Sequence, residues 1–555
     1  MKYLTGGQAL VELLHRQGVD TLFGLPGVQN DGLFNALYDA RHTTSRVRMI
    51  HTRHEQGAAY MAYGYARASG RIGVYAVVPG PGMLNTTAAL ATAYATSTPL
   101  LCITGQIPTT LIGRATGQLH EIPDSLAVLR SLTKWCARVE KVETLPDLVT
   151  EAFCHLRTGR PRPVALEVPM DVLQASAELT LPEGLPANLS QPDPSRQDPG
   201  PDPNAVAAAA ALLAAAHNPL IVIGGGVTDA ALELRTVAEH LQAPVIVIAS
   251  GHGVLSAKHD LSFSGPGGHA LWSQADVVLA VGTRFQTPAR VWGIDDALKI
   301  IRIDIDPEEM GRAAKPAVAL IADAKLALAA LSRALAATPA RPSRQADLRL
   351  LKAKLDHDFR QVQPQYDFLQ AMRAALPDDG IFVEDLTQVG YAARYMWPSY
   401  QPRTHINSGY QGTLGFGFGT ALGAKVAEPQ RAVVCVNGDG GFMYNVQELA
   451  TAVQQGIGVV TVIFNDGAFG NVRRMQQQDH GGRLIASDLR NPDFVALAAA
   501  YGASGVRVHT PAELAVALKE AFQQPDAKIP TVIDVPVGEM ASPWPLFMLP
   551  RLRPF

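Results

Sequence analysis

Two periodicities alternate along this chain. Short runs rich in Val, Ile and Leu, such as GVYAVVP (73–79), PLLCITG (99–105) and PVALEVP (163–169), are separated by stretches whose apolar positions return every three or four residues. The first of those stretches, MKYLTGGQALVELLHRQGVD, sets Leu10, Leu13 and Leu14 among Glu12, His15 and Arg16, which predicts an amphipathic helix. Strand runs alternating with helical runs read as βα units around a parallel sheet. The same alternation returns twice. LIVIGGG (220–226), PVIVIAS (244–250), VVLAVGT (277–283) and IIRIDID (300–306) predict a second set of strands, and AVAAAAALLAAA (205–216) a helix packed on it. GIFVEDL (380–386), RAVVCVN (431–437), GVVTVIFND (458–466) and PTVIDVP (530–536) predict a third.

Between the sets the pattern breaks. LPEGLPANLSQPDPSRQDPGPDPN is packed with Pro, Asp and Ser, and AATPARPSRQ interrupts the chain again near residue 340. The expected division is therefore an N-terminal α/β domain over 1–175, a linker over 176–203, a central α/β domain over 204–338, a second linker over 339–364 and a C-terminal α/β domain over 365–555. A chain of 555 residues is too long for one core. Its 47 basic and 50 acidic side chains provide no field for nucleic acid or an anionic membrane, so a small-molecule enzyme is expected. Cys102, Cys136, Cys154 and Cys435 form no CxxC pair, which points to reduced thiols in a cytoplasmic protein. The N-terminus lacks signal-peptide character, and no apolar run approaches the roughly 18 residues of a membrane span.

The most informative stretch is NGDGGFMYNVQELATAVQQGIGVVTVIFND (437–466). Its first strand ends in glycines that permit a sharp turn. Asn445 is the expected helix cap, with Glu448 as its capping-box partner, and Gly456 and Gly458 end that helix. A βαβ unit opens the carboxyl ends of neighbouring strands on one edge, about 5 Å apart. Asp439 and Asp466 therefore face one crevice, where they would repel unless a hard divalent cation with a phosphate ligand sat between them. A GDG alone is a common turn; the second carboxylate one crossover later changes that reading.

These residues resemble the signature of the thiamine diphosphate enzyme superfamily, GDG followed after a spacer by NN or ND. The resemblance implies that Asp439, Asp466 and the carbonyl of Ala468 bind the Mg2+ carrying the diphosphate of thiamine diphosphate. A second motif, RHEQGAAYMAYGYARASG (53–70), is similar to the family's pyrimidine-binding segment. It assigns Glu55 the protonation of N1' of the aminopyrimidine, so that the cofactor's own imino group can deprotonate thiazolium C2 to an ylide. In NSGYQGTLGFGFGTALGAKVA (407–427), Leu414 matches the apolar wedge that bends the cofactor, and the Gly412 carbonyl the acceptor of the 4'-amino group. Thr387, Gln388 and the amides of Gly440 and Gly441 are candidate diphosphate contacts. Asn85, in VPGPGMLNTTAAL, is a further candidate at the cofactor.

The whole chain is most similar to the acetolactate synthase large-subunit group. That implies three doubly wound parallel-sheet domains, pyrimidine-binding, central and diphosphate-binding. It also implies a homodimer or homotetramer in which Glu55 and Asp439 of one site come from different chains. Departures from the group concern the substrate. Pro288 stands where an arginine grips the second 2-oxo acid, and Met475 where a tryptophan is usual. The central domain is shortened where FAD would lie, and the GGG at 224–226 reads as a tight turn, so FAD is not expected. Val28, Gln118, His120, Arg473 and Met475 are candidate substrate contacts; Arg473 and Arg474 would hold a carboxylate or cap a helix end. The expected activity is carbon–carbon cleavage or ligation on 2-oxo acids, aldehydes or acyloins. An acceptor-free decarboxylase, a flavin-dependent oxidase and a catalytically idle regulatory homologue are the alternatives.

Overall fold

The computed structural model describes residues 1–41, 47–182, 200–523 and 528–554. Three six-stranded sheets, each parallel throughout, form its layers, and helices cover their faces. The strand runs read from the sequence all sit inside these sheets, buried on both faces as continuous apolar runs require. The N-terminal helix, Gly6–Arg16, is closed by a capping box between Thr5 and Gln8, and Leu10, Leu13 and Leu14 are fully buried in it. Several strands escaped the sequence reading. Arg48–His51, Trp135–Arg138, Ser262–Ser264, Val318–Ile321, His405–Ile406 and Ser504–Arg507 are edge strands with one neighbour, and Thr21–Gly24 lies inside its sheet; all are four residues or shorter, too short to register as a periodicity.

The linkers differ from expectation in extent. Ser176–Leu179 is an antiparallel strand paired with Lys2–Thr5, while most of the proline-rich stretch, 183–199, lies outside the described residues. Inside 339–364 stands a helix, Gln345–Phe359, whose Leu348 is buried in the central core. Among the described residues no helix is long and apolar enough to cross a membrane.

The first and third domains share one hydrophobic core. Helix α1 (Glu55–Ser69) packs along helix α2 (Gly417–Ala427) at backbone distance. A Cβ at Gly64 would stand 1.9 Å from the Thr420 carbonyl oxygen, and one at Gly423 1.8 Å from that of Met61, so only glycine allows the approach. In the third sheet, β1 (Val433–Gly438) and β2 (Val460–Asn465) are direct neighbours, with Asn437 opposite Ile463 and Gly438 opposite Phe464. Helix α3 (Glu448–Gln455) crosses between them and ends at Gly456, whose φ of 64° is left-handed. The next helix, α4, spans Gly470–Asp479.

One local expectation fails. Asn445 and Glu448 form no capping box: Asn445 Nδ2 donates to the Gly415 carbonyl at 2.7 Å, and α3 starts without a side-chain cap. The three-residue spacing is the same for a box and for two contacts elsewhere, and here tertiary partners took both groups.

Candidate active site

Asp439 and Asp466 lie just past the carboxyl ends of β1 and β2, as adjacent strands require. Burial raises the Asp439 carboxyl against hydrogen bonds from Asn491 and the Gly440 and Gly467 amides. Asp466 is pushed up to about 6, first by burial and then by the facing Asp439 charge. A cation between the two carboxylates would relieve this repulsion. Gly470 makes room for the pair, because a Cβ there would stand 2.3 Å from Asp466 Oδ2. Ala468 donates its amide to Asp466 Oδ1 at 3.2 Å. Its antiparallel bridge to Asp488 is closed by Phe469 N to the Ser487 carbonyl and Leu489 N to the Gly467 carbonyl, which leaves the Ala468 carbonyl outside the ladder. Two carboxylates and a carbonyl are an all-oxygen donor set that suits a hard cation with phosphate or water completing the shell.

A residue the sequence reading missed orients Asp439. Asn491 Nδ2 donates to Asp439 Oδ2 at 2.5 Å and to Asn465 Oδ1 at 3.1 Å. No spacing rule flags it, since it approaches from a distant loop.

The loop that carries Gly412 and Leu414 is pinned from beneath by another missed residue. Asp385 accepts from the amides of Leu386, Gly415 and Gly417 at 2.7, 3.2 and 3.0 Å, and burial still pushes its carboxyl up to about 6. The signal was available in GIFVEDL, an acid at the end of a buried strand. Leu414 stands half-buried, with its Cδ1 3.2 Å from where a Gly441 Cβ would lie. Gly412 has a φ of 58° and faces open space. Thr387 begins the Gln388–Met396 helix beside Gly438, and both Thr387 and Gln388 are buried.

In the N-terminal domain Glu55 is the first residue of α1, half-buried, and Asn85 Nδ2 donates to its Oε2 at 3.0 Å. Gly82 lets the two meet, its Cβ direction running between Val78 and the Glu55 stem. Nearby, His120 Nδ1 meets Gln29 Oε1 at 3.0 Å and Gln29 Nε2 donates to the Leu119 carbonyl at 2.8 Å, tying the 117–121 loop to Gln29. Gln118 is exposed and bonded only within its own turn, to Thr116.

The remaining substrate candidates are placed differently. Arg473 pairs with Asp488 at 2.8 Å and Glu539 at 3.6 Å, while Arg474 is buried against Gln388 Oε1 and the Met540 carbonyl. Met475 is 52% exposed on α4. The candidates thus form two groups, one around Glu55 and one around Asp439, and no hydrogen bond among the described residues joins Glu55 to the second. Val28, Leu84 and Leu119 leave apolar surface exposed beside the first group; Met443, Tyr444, Val472 and Met475 do so beside the second.

A cavity of 2280 Å3 lies elsewhere, where the three domains meet, and none of the candidate residues lines it. Gly224–Gly226 stand on its wall. Cβ atoms at Gly224 and Gly226 would stand 2.3 and 2.8 Å from the Gly282 backbone, so these glycines serve a packed turn.

Comparison with known proteins agrees with this geometry. Residues 4–128, 206–331 and 385–535 match, in order, the N-terminal TPP binding domain, the central domain and the C-terminal TPP binding domain of thiamine pyrophosphate enzymes. A probable 2-ketoarginine decarboxylase of Pseudomonas aeruginosa is 36% identical over 94% of this chain and 93% of its own. A probable acetolactate synthase large subunit of Methanocaldococcus jannaschii is 34% identical, covering 94% of this chain and 90% of its own. The acetolactate synthase isozyme 1 large subunit of Escherichia coli is 32% identical over 98% and 96%.

Proposed function

We propose, from the premise that this chain belongs to the thiamine pyrophosphate enzymes, that it uses thiamine diphosphate and Mg2+ to break or form a carbon–carbon bond beside the carbonyl of a 2-oxo acid or acyloin. The observation that carries the reading is the pair of mutually repelling carboxylates, Asp439 buried and Asp466 half-buried, at the ends of adjacent strands. Asp439, Asp466 and the Ala468 carbonyl would hold the cation, with Thr387, Gln388 and Gly441 toward the diphosphate. The Gly440 amide is already turned to Asp439, so its share is to fix that ligand.

Thiamine diphosphate, when bound, supplies a carbon nucleophile for a carbonyl and stabilises the electron pair released when the adjacent bond breaks. The chain's own contribution is positional and protonic. Leu414, on a loop locked by Asp385 and Asn445, would support the bend between the two rings. The Gly412 carbonyl would accept from the 4'-amino group, and Glu55, held by Asn85, would carry the proton at N1'.

Self-association completes the site in this reading. The Glu55 group and the Asp439 group each border exposed apolar side chains, and a second copy of the chain would cover both at once. A homodimer or homotetramer would provide that cover.

Acceptor-free decarboxylation is a second reading that one observation favours. Arg473, the cation nearest in sequence to the metal motif, is engaged by Asp488 and Glu539 and offers no free guanidinium to the carboxylate of an acceptor. Incubating holoenzyme with 2-oxo acids, singly and with aldehydes, and identifying products by mass separates the readings. Ligated product supports the carboligase; CO2 and free aldehyde alone support the decarboxylase; no turnover of any 2-oxo acid, aldehyde or acyloin refutes both.

A further inference from the structure

We infer that Glu448 is a positioning residue for Glu55, reaching from the diphosphate-binding domain to set the first turn of the helix that carries it. The inference rests on the reading of Glu55 as the proton carrier at N1'. Glu448 opens α3, only nine positions after Asp439, and is fully buried. Its carboxylate does not cap its own helix. It accepts from the Arg53 amide at 3.1 and 3.2 Å and from the His54 amide at 3.0 Å, and its Oε2 takes the Thr451 hydroxyl at 2.6 Å.

Arg53 and His54 are the two residues before Glu55, at the end of α1 where backbone donors lack intrahelical partners and the helix dipole favours an anion. The cap is shared: His54 Nδ1 accepts from the Gln56 amide at 3.0 Å, while the amide of His54 itself goes to Glu448. The fit is tight on the far side as well. A Cβ at Gly57 would stand 2.4 Å from Glu448 Oε1, so the sequence HEQG leaves a hole that this carboxylate fills. Arg53 adds a tether to α3 through Gln454 Oε1 at 3.0 Å. The proton-carrying side chain thus hangs from a turn whose height is set by a helix of the domain that holds the metal motif.

The test compares full-length Glu448→Ala and Glu448→Gln with wild type in three measurements. Amide hydrogen exchange over residues 53–57 of the cofactor-free protein should accelerate at least tenfold in Glu448→Ala. Thiamine diphosphate affinity, read by tryptophan fluorescence, should stay within threefold, because the metal and diphosphate contacts are untouched. Exchange of the C2 proton of bound thiamine diphosphate, with no substrate present, should slow at least tenfold. Glu448→Gln keeps the shape and one oxygen acceptor, so its C2 exchange should slow at least threefold but less than that of the alanine variant; it alone decides if Glu448→Ala does not fold. C2 exchange within twofold of wild type in the deciding variant overturns the inference, as does a loss of cofactor affinity beyond tenfold. Glu55→Gln run alongside separates the two claims. If it leaves C2 exchange intact, the assignment of Glu55 fails; if it abolishes exchange while Glu448→Ala does not, only the positioning role fails.

Discussion

Replacing Asp466 by Asn should make the cofactor-free protein more stable at neutral pH. In the folded chain the Asp466 carboxyl titrates at about 6, against about 4 for an unperturbed aspartate. The sign follows from linkage. Below pH ~4 the group is protonated whether folded or not and contributes nothing. Between ~4 and ~6 the unfolded chain releases the proton first, so stability falls with rising pH, and above that the full cost of burying the charge and of its repulsion from Asp439 is present. Two units correspond to about 3 kcal/mol, and discounting for the partial exposure of the group leaves roughly 2 kcal/mol. For a domain of this size that is a melting shift of roughly 4–8 °C. The assay is the melting temperature of wild type and Asp466→Asn in EDTA from pH 4 to 8. The difference should be near zero at pH 4 and open through pH 6 to its full value. Subtracting the variant removes the other groups that titrate there, Asp385 among them. Mg2+ with thiamine diphosphate should then stabilise wild type more than the variant, since the asparagine keeps an oxygen ligand but removes a charge. A variant no more stable than wild type at pH 7 without metal would refute the mutual-repulsion account of the pair.

Further outcomes follow from the same geometry. Glu55→Gln should cut turnover by about 100-fold or more while leaving cofactor affinity nearly unchanged, and undiminished turnover would remove Glu55 from the mechanism. Leu414→Ala should fold normally, because the side chain is only half-buried, yet lower kcat at least tenfold with little change in the melting temperature of the cofactor-free protein; an unaltered kcat would disprove the wedge role. The purified protein should be colourless, since Gly224 and Gly226 serve a turn packed on Gly282. A flavin spectrum from freshly purified protein would reverse that assignment and revive the oxidase reading.

The placement of the two carboxylates was legible because its logic is local: two strand ends, one crossover and a buried parallel sheet fix where Asp439 and Asp466 must lie. What escaped depends on partners far away in the chain. Asn445 and Glu448 fit a capping box by spacing, but the first is drawn to the Gly415 carbonyl and the second to Arg53 and His54, which no periodicity can reveal. Asn491 was passed over for the same reason, whereas Asp385 carried a local signal, an acid at the end of a buried strand, that went unused. Each acts on a site residue through a tertiary hydrogen bond, and neither stands in a motif. The edge strands were missed because each is four residues or shorter, too few for a periodicity to register.

The two halves of the proposed site are held with unequal rigidity, and that difference bears on how the enzyme would choose its substrate. Around the cofactor positions, charges and loops are fixed by hydrogen bonds: Asp439 by the Asn491 amide, the Leu414 loop by the Asp385 carboxylate and the Asn445 amide, the Glu55 turn by the Glu448 carboxylate. Such preorganisation keeps reacting groups in place without a reorganisation cost at the moment of reaction. The substrate candidates are held far less. Val28 and Met475 are about half exposed, Gln118 bonds only within its own turn, and His120 is oriented by Gln29 alone. Their final environment would come from a second copy of the chain, so substituting the exposed Val28 or Met475 should change which 2-oxo acid is used, through KM, without altering C2 proton exchange of the bound cofactor. If Met475→Trp slowed that exchange tenfold while the protein stayed folded, the division between a rigid cofactor clamp and an adaptable substrate rim would be wrong.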